Sequence, residues 1–266
     1  FYSVAKKICG TYASRTLQEV NMAGMLVGPE QYPEVYQMGC DCARILGIGI
    51  PNIYIINDQT LNALTICTDD IEPLIIIHSG LYERMTPGDL RCVIGHECGH
   101  IQNQHGIYDI LRQILVAAGT SAAGLLSVQL MNLMTQGVQF LLNAWDRAAE
   151  VTCDRAGMIC SERVEDAYSV NAKLLYGAAI GDKETVNLEA LKKQLEMQMG
   201  TLVRLEELFA DHPAAVRRIM AEMEFARCEV FYRWRPELKE AGQSVCTKEE
   251  TDELCRRYVD VIRKGK

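Results

Sequence analysis

The stretch CVIGHECGHIQNQH, from Cys92 to His105, decides how this chain is organised, because it holds three of the five histidines within ten residues. His96 and His100 are four residues apart, so on a helix both imidazoles lie on one face, one turn apart. Two imidazoles so arranged can reach one tetrahedral Zn²⁺. Glu97 lies about 100° around the helix from His96, where it is suited to hold and deprotonate a metal-bound water.

Two other side chains of the stretch are not predicted to bind the metal. His105 follows His100 by five residues, about 500° of helical rotation, which turns it away from the pair. Cys98 lies two residues from each histidine, about 200° around the helix, so it points away from the metal. We expect Cys98 to pack on the buried face of this helix.

A catalytic zinc site needs a third protein ligand and an open fourth position. The later segment AAEVTCDRAG supplies candidates, because Glu150 and Asp154 are again four residues apart and face the same way on a helix. One carboxylate can bind the metal while the other accepts the free N–H of a metal-bound histidine. The spacing alone does not say which carboxylate does which.

Composition bounds the class of protein. The chain has 266 residues, of which 48% are apolar and 23% charged, as in a globular domain with a sizeable core. The net charge of -8 argues against a nucleic-acid partner. Eleven scattered cysteines without a CxxC indicate buried free thiols in a reducing compartment. Because the first residue is Phe1, we expect the natural N-terminus to lie upstream. The free thiols favour a cytoplasmic or membrane-peripheral location in a reducing compartment.

The hydrophobic pattern predicts a mainly helical α+β fold with a small β-sheet. The sheet is expected next to the helix that carries residues 96–100, whose sequence HECGH fits the pattern HExxH and which we call the HExxH helix. Helices are predicted from Phe1 to about Val27, over 34–46, from Asp89 to about His105, and through most of the chain after Glu150. Short β-branched runs predict strands at 52–56, 61–67 and 74–77. The strand from Leu61 to Cys67 is the most exposed, and an edge strand can pair with an extended peptide. An ordinary edge strand fits the pattern equally well.

Residues 113–145 carry no charge, and the length could cross a bilayer. Many amide and hydroxyl side chains interrupt this segment, which a lipid-facing helix tolerates poorly. We therefore predict a buried or self-associating helical hairpin over 107–145, with membrane contact as the less favoured alternative.

Several motifs follow one another in a specific order: Asn62-Ala63, Ile77-His78-Ser79-Gly80-Leu81, HECGHIQNQH, AAEVTCDRAG, and Asp211-His212-Pro213 with Arg218. This order, from about Asn52 to Met220, resembles the HtpX-like and CAAX-prenyl-protease-like zinc endopeptidases, which are gluzincins. The chain departs from the family pattern at Cys98 and at Cys153, where small or aliphatic residues are usual.

The resemblance implies a gluzincin-type fold and a peptide or protein substrate, with one Zn²⁺ per chain. It implies His96, His100 and Glu150 as zinc ligands, Glu97 as general base and acid, and Asp154 as the partner of a ligand histidine. It further implies that His212 stabilises the oxyanion and Arg218 orients a carboxylate. The expected organisation is one domain, 1–266, with N-terminal helices in 1–50, a catalytic core in 51–220 and a helical extension in 221–266.

Two other functions remain open at this stage. A zinc ion that only holds helices together, in a binding or regulatory protein, would have a fourth protein ligand instead of a water. A latent protease would be shielded by its own C-terminal helices.

Overall fold

The computed structural model describes residues 2–68, 71–106, 127–176 and 215–259, together with residues 187, 189, 190 and 193. In chain order the elements are α1 Tyr2–Ala23, β1 Gly24–Leu26, α2 Pro33–Leu46, β2 Asn52–Ile56, β3 Ala63–Thr68, β4 Ile71–His78, α3 Ser79–Arg84, α4 Pro87–Gln102, α5 Ser127–Cys160, α6 Val164–Tyr176, α7 Ala215–Phe225, α8 Glu229–Trp234, a 3₁₀ turn Pro236–Leu238 and α9 Lys248–Val259.

The sheet has the strand order β1-β2-β4-β3, with β2 and β4 parallel and the other two pairs antiparallel. Successive side chains point to opposite faces, and both faces are covered. Ile53 and Ile75 belong to the main core, which also contains residues of α2, α4 and α5. Tyr54 and Leu74 face the other way, in a cluster that includes Val20 of α1. This burial on two faces explains the continuous apolar run of β4.

The predicted fold class is confirmed: the chain is a mainly helical α+β protein whose small sheet lies beside the HExxH helix, and β3 is the edge strand next to it. The predicted end of the first helix was wrong. The first helix was expected to reach Val27, but it ends at Ala23, and residues 24–26 pair with β2 instead. Pairing with an open strand edge is a tertiary interaction, and it overrides local helical propensity.

The predicted hairpin over 107–145 is covered only in part, because residues 107–126 lie outside the described residues. Its second half belongs to α5, which continues without a break to Cys160 and so carries Glu150 and Asp154. Across the described part of the chain, no helix combines the length and apolarity that a bilayer crossing requires. The division into core and extension stays a prediction.

The HExxH helix α4 is fixed at its start by its own sequence. Thr86 and Asp89 form a capping box, in which the Thr86 hydroxyl accepts from the Asp89 N–H and the Asp89 carboxylate accepts from the Thr86 N–H. Pro87 occupies the first turn, where its missing N–H is not needed. Asp89 also forms an ion pair with Lys173 of α6, and both side chains are buried. These contacts hold α4 in one position relative to α6.

Candidate metal centre and active site

Three glycines allow α4 and α5 to cross at short distance. A Cβ atom on Gly95 would lie 2.6 Å from the Cβ of Cys160, and one on Gly99 would lie 2.9 Å from the Cβ of Ala156. On the opposite helix, a Cβ on Gly157 would lie 2.9 Å from the Cys92 carbonyl oxygen. The two backbones therefore approach closely enough for short side chains of α5 to reach the histidines of α4.

The side chains of His96, His100 and Glu150 converge at this crossing. The Nε2 atoms of His96 and His100 lie 3.3 Å apart. Glu150 Oε1 lies 3.4 Å from His100 Nε2, and Glu150 Oε2 lies 3.7 Å from His96 Nε2. Ligands about 2.0–2.1 Å from a tetrahedral zinc lie about 3.3–3.4 Å apart, so this triangle has the dimensions of three zinc ligands.

The protonation pattern of the triangle also fits a cation. Asp154 Oδ1 lies 3.0 Å from His96 Nδ1, and a carboxylate can only accept, so Nδ1 carries the proton. His96 Nε2 then presents a lone pair toward His100 Nε2 and the Glu150 carboxylate. A divalent cation between these atoms can accept an electron pair from each of the three side chains. Two imidazole nitrogens with a carboxylate oxygen are a typical set of zinc ligands.

Arg218 of α7 holds both carboxylates of α5. Its Nη1 lies 3.1 Å from Glu150 Oε2, and its Nε donates to Asp154 Oδ2 at 2.8 Å while Nη2 donates to Asp154 Oδ1. Burial alone would raise the pKa of Asp154, but the charge and hydrogen bonds of Arg218 outweigh it and hold that pKa below its usual value. The ionised Asp154 is the state in which it accepts from His96.

Cys153 is a second candidate third ligand, because its sulfur lies with His96 and His100 in a group of compatible donor atoms. Its surroundings place it on the other side of the His100 ring. The sulfur is 3.5 Å from His105 Nδ1, which in turn is 3.3 Å from His100 Nδ1. Glu150 instead contacts both Nε2 atoms. Burial raises the pKa of the Cys153 thiol to about 11. We therefore favour Glu150 as the third ligand.

His105 lies against the metal centre rather than turned away from it, which corrects the helical extrapolation. The helix α4 ends at Gln102, and Gln104 adopts a left-handed backbone conformation with φ 55° that returns the chain. Burial, followed by the neighbouring His100, lowers the pKa of His105 to about 4, so its ring is neutral. Neutral His105 can accept the Nδ1–H of His100, and it stacks edge-on with Trp145 at 4.9 Å.

Thr65 is a site residue that the sequence interpretation missed. Its hydroxyl lies 2.7 Å from Glu97 Oε2 and 3.1 Å from the Glu97 carbonyl oxygen. Period-two alternation in β3 could have identified it, because Leu64 and Ile66 pack toward α1 and Thr65 must then point to the opposite face. The edge strand thus contacts the expected general base directly.

A cavity of about 630 Å³ opens onto these residues. Its walls include residues 61–66 of the edge strand and its preceding loop, the HExxH face of α4, and parts of α6 and α7. Glu97, His96, His100, Glu150, Asp154 and Arg218 all line it. The cavity therefore joins the edge strand β3 to the donor triangle and to Glu97. His212, the expected oxyanion donor, lies outside the described residues. Cys98 is fully buried in the core, as expected of a packing residue.

Comparisons with known proteins identify the family of this chain. The sequence profile of Peptidase family M48 matches residues 29–224. Plastoglobule-localized metallopeptidase 48, chloroplastic, from Arabidopsis thaliana is 28% identical over 191 residues, which cover 71% of this chain and 54% of the relative. A Protease HtpX homolog from Levilactobacillus brevis is 29% identical over 114 residues, or 43% of this chain and 37% of the relative.

A Protease HtpX homolog from Bifidobacterium longum is 23% identical over 244 residues, with 82% of this chain and 78% of the relative covered. The chain thus spans about half of the plant relative and about a third of the Levilactobacillus protein. The family match takes in the edge strand, both helices that carry the donor triangle and nearly all of α7, and it extends over most of the sequence. The chain therefore belongs to peptidase family M48, a family of metallopeptidases.

Proposed function

We propose that this chain is a zinc-dependent endopeptidase in which Glu97 acts as general base and then general acid. The observation that carries the proposal is the triangle of His96, His100 and Glu150 donor atoms beside the Glu97 carboxylate, in one cavity. The nitrogen and oxygen donors select zinc over magnesium or calcium, which prefer oxygen ligands alone.

The residues of this chain have distinct tasks in the proposed reaction. Zinc, when bound, would polarise the scissile carbonyl and lower the pKa of a water in its open position. Glu97 takes a proton from the attacking water and delivers it to the leaving amine. Thr65 holds the Glu97 carboxylate, while Asp154 and Arg218 hold His96 and Glu150 in position. We retain His212 as the candidate donor to the oxyanion.

The edge strand β3 offers main-chain hydrogen-bonding groups with which an extended peptide substrate can pair. Among the strands that the structure describes, β3 pairs only with β4, so its other side can pair with an extended peptide by main-chain hydrogen bonds. Thr65 links this strand to Glu97, which puts a bound peptide next to the general base. We therefore propose unfolded or extended polypeptide as the substrate class.

The alternative of a non-catalytic zinc protein requires a fourth protein ligand. Among the residues that the structure describes, Cys153 is grouped with the two histidines as a further donor, but its sulfur lies 3.5 Å from His105 Nδ1, and that nitrogen faces the Nδ1 atom of His100. This geometry supports an open position, which a hydrolytic site needs.

The test compares the Glu97→Gln variant with wild type and with Glu83→Gln, a matched change at an exposed glutamate of α3. We expect Glu97→Gln to reduce hydrolysis of unfolded casein by at least about 10³-fold, because the base is lost. Zinc content should stay near one equivalent in all three proteins. Hydrolysis at the wild-type rate by Glu97→Gln would disprove the mechanism. Cleavage that survives complete chelation would disprove the metal dependence.

A further inference from the structure

The cavity is lined by one stripe of side chains from each of three helices. On α4 the stripe is Val93, His96, Glu97 and His100; on α6 it is Ala167, Val170, Asn171 and Leu174; on α7 it is Ala215, Arg218 and Glu222. Each stripe follows the three- and four-residue spacing of a single helical face. The α4 stripe supplies the proposed chemistry, whereas the α6 stripe has no part in it. The α6 stripe therefore has to be explained separately.

The α6 stripe combines apolar walls with one buried polar pair. Ala167, Val170 and Leu174 are apolar, and Asn171 lies among them. Glu222, one helical turn after Arg218 on α7, faces Asn171 across the two helices, and Asn171 Nδ2 donates to Glu222 Oε1 at 2.7 Å. The side chains are 1% and 2% exposed, respectively. The cavity thus has a region with apolar sides and an amide–carboxyl pair.

Each member of this pair keeps one oxygen without a partner. Asn171 Oδ1 and Glu222 Oε2 are buried and make no hydrogen bond within the described residues. A buried polar group without a partner destabilises a folded protein, because it has lost its hydrogen bonds to water and gained none in return. Apolar residues of similar volume would avoid this loss. A pair of unsatisfied oxygens in the wall of a binding cavity indicates that a ligand supplies the missing donor.

We propose that Asn171 and Glu222 form the polar end of a specificity subsite, which binds a substrate side chain with an apolar stem and an N–H donor at its tip. This inference rests on the proposed peptidase function. Lysine and glutamine have this form, because their methylene stems match Val170 and Leu174 and their nitrogens can donate to both free oxygens. Aspartate and glutamate bring further acceptors, and leucine or phenylalanine would leave both oxygens unpaired.

Lysine and glutamine differ in charge, and a change at Glu222 can show which of the two the subsite binds. An ammonium group favours the ionised Glu222, as an ion pair in a buried site. A carboxamide is neutral and can donate to Asn171 and Glu222 without a charge on either. Glu222→Gln removes the charge and keeps the size, so it should abolish a preference for lysine and spare one for glutamine.

The test is cleavage-site profiling with a synthetic peptide library randomised on both sides of the cleaved bond. Three proteins are compared: wild type, Asn171→Leu/Glu222→Met, and Glu253→Gln as an exposed control. We expect wild type and the control to enrich lysine or glutamine about tenfold or more over leucine at one flanking position. The double variant should prefer leucine or methionine there and unfold at a higher temperature, because two unpaired polar groups are gone.

The outcomes separate this inference from the proposed function. The same flanking preference in wild type and the double variant, or a preference for acidic residues, overturns the subsite. If the double variant does not fold, the single variants decide: an unchanged lysine enrichment in Glu222→Gln, or an unchanged glutamine enrichment in Asn171→Leu, also overturns the subsite. Failure of wild type to cleave any library peptide contradicts the peptidase function, and the inference falls with it.

Discussion

Gly99 of α4 lies against Ala156 of α5 at the metal-centre crossing, where a Cβ atom on Gly99 would stand 2.9 Å from the Cβ of Ala156. The same atom would lie 3.1 Å from the Cα of Cys153. Neither neighbour is the end of a flexible side chain, so the backbones would have to separate. Because His100 follows Gly99 directly and Glu150 lies on α5, separation of the backbones changes the donor triangle.

Gly99→Ala is therefore expected to weaken zinc binding by about tenfold or more and to destabilise the fold by about 1–3 kcal/mol. Zinc affinity is measured by competition with a chromophoric chelator, and stability by urea unfolding. Gly49→Ala is the control, because a Cβ at Gly49 meets no atom within 4 Å. Equal zinc affinities in the two variants would contradict a role of this crossing in the geometry of the site.

Arg218→Lys tests whether the guanidinium fork positions the two carboxylates. Lysine keeps the charge but cannot contact Glu150 and Asp154 through separate fixed nitrogens. We expect zinc affinity to fall about 10- to 100-fold, in line with losses of groups that orient metal ligands. Arg227→Lys, at an exposed ion pair with Glu224, should bind zinc as wild type does. Unchanged zinc affinity in Arg218→Lys would show that a positive charge alone is enough to hold Glu150 and Asp154 in position.

Thr65→Val tests the contact between the edge strand and Glu97. Valine keeps the branched shape and removes the hydroxyl that reaches Glu97 Oε2 at 2.7 Å. We expect kcat to fall about tenfold with KM and zinc content little changed, because the base loses its orientation but substrate and metal do not. Thr65→Ser should restore most of the rate. A rise in KM alone would assign Thr65 to substrate binding instead.

The buried carboxyl of Glu222 leads us to expect a specific dependence of protein stability on pH. Burial, followed by Asp154, raises the pKa of Glu222 well above its usual value of 4.5. A carboxyl whose folded-state pKa is raised favours folding most below its unfolded-state pKa, and this contribution is lost as pH rises toward the folded pKa. Glu222→Gln should therefore gain stability relative to wild type between pH 5 and about pH 8. Urea midpoints at several pH values, at constant zinc saturation, measure this gain.

The control for this pH series is Glu253→Gln, whose exposed side chain should give a difference from wild type that does not change with pH. A Glu222→Gln difference that is constant over the same range would mean that the buried carboxyl titrates as it does in the unfolded chain.

Local sequence determined the parts of this protein that depend on one helix or one strand. The spacing of His96 and His100, the capping signal at Thr86-Pro87 and the β-branched runs at 52–56 and 74–77 all have their effect over a few residues. Periodicities of 3.6 and 2, together with local capping residues, therefore predict them directly. Spacing also singled out Glu150 and Asp154, and the order of the motifs assigned them and the distant Arg218 to one site with the histidines.

Tertiary structure decided the contacts that link separate elements. The return of His105 to His100 depends on the backbone turn at Gln104, and β1 forms because β2 offers a free edge. The contact of Thr65 with Glu97 and the pairing of Asn171 with Glu222 each join two elements. Such contacts depend on how closely helices and strands pack, which is set by steric fit across the whole core and leaves no periodic signal in the sequence.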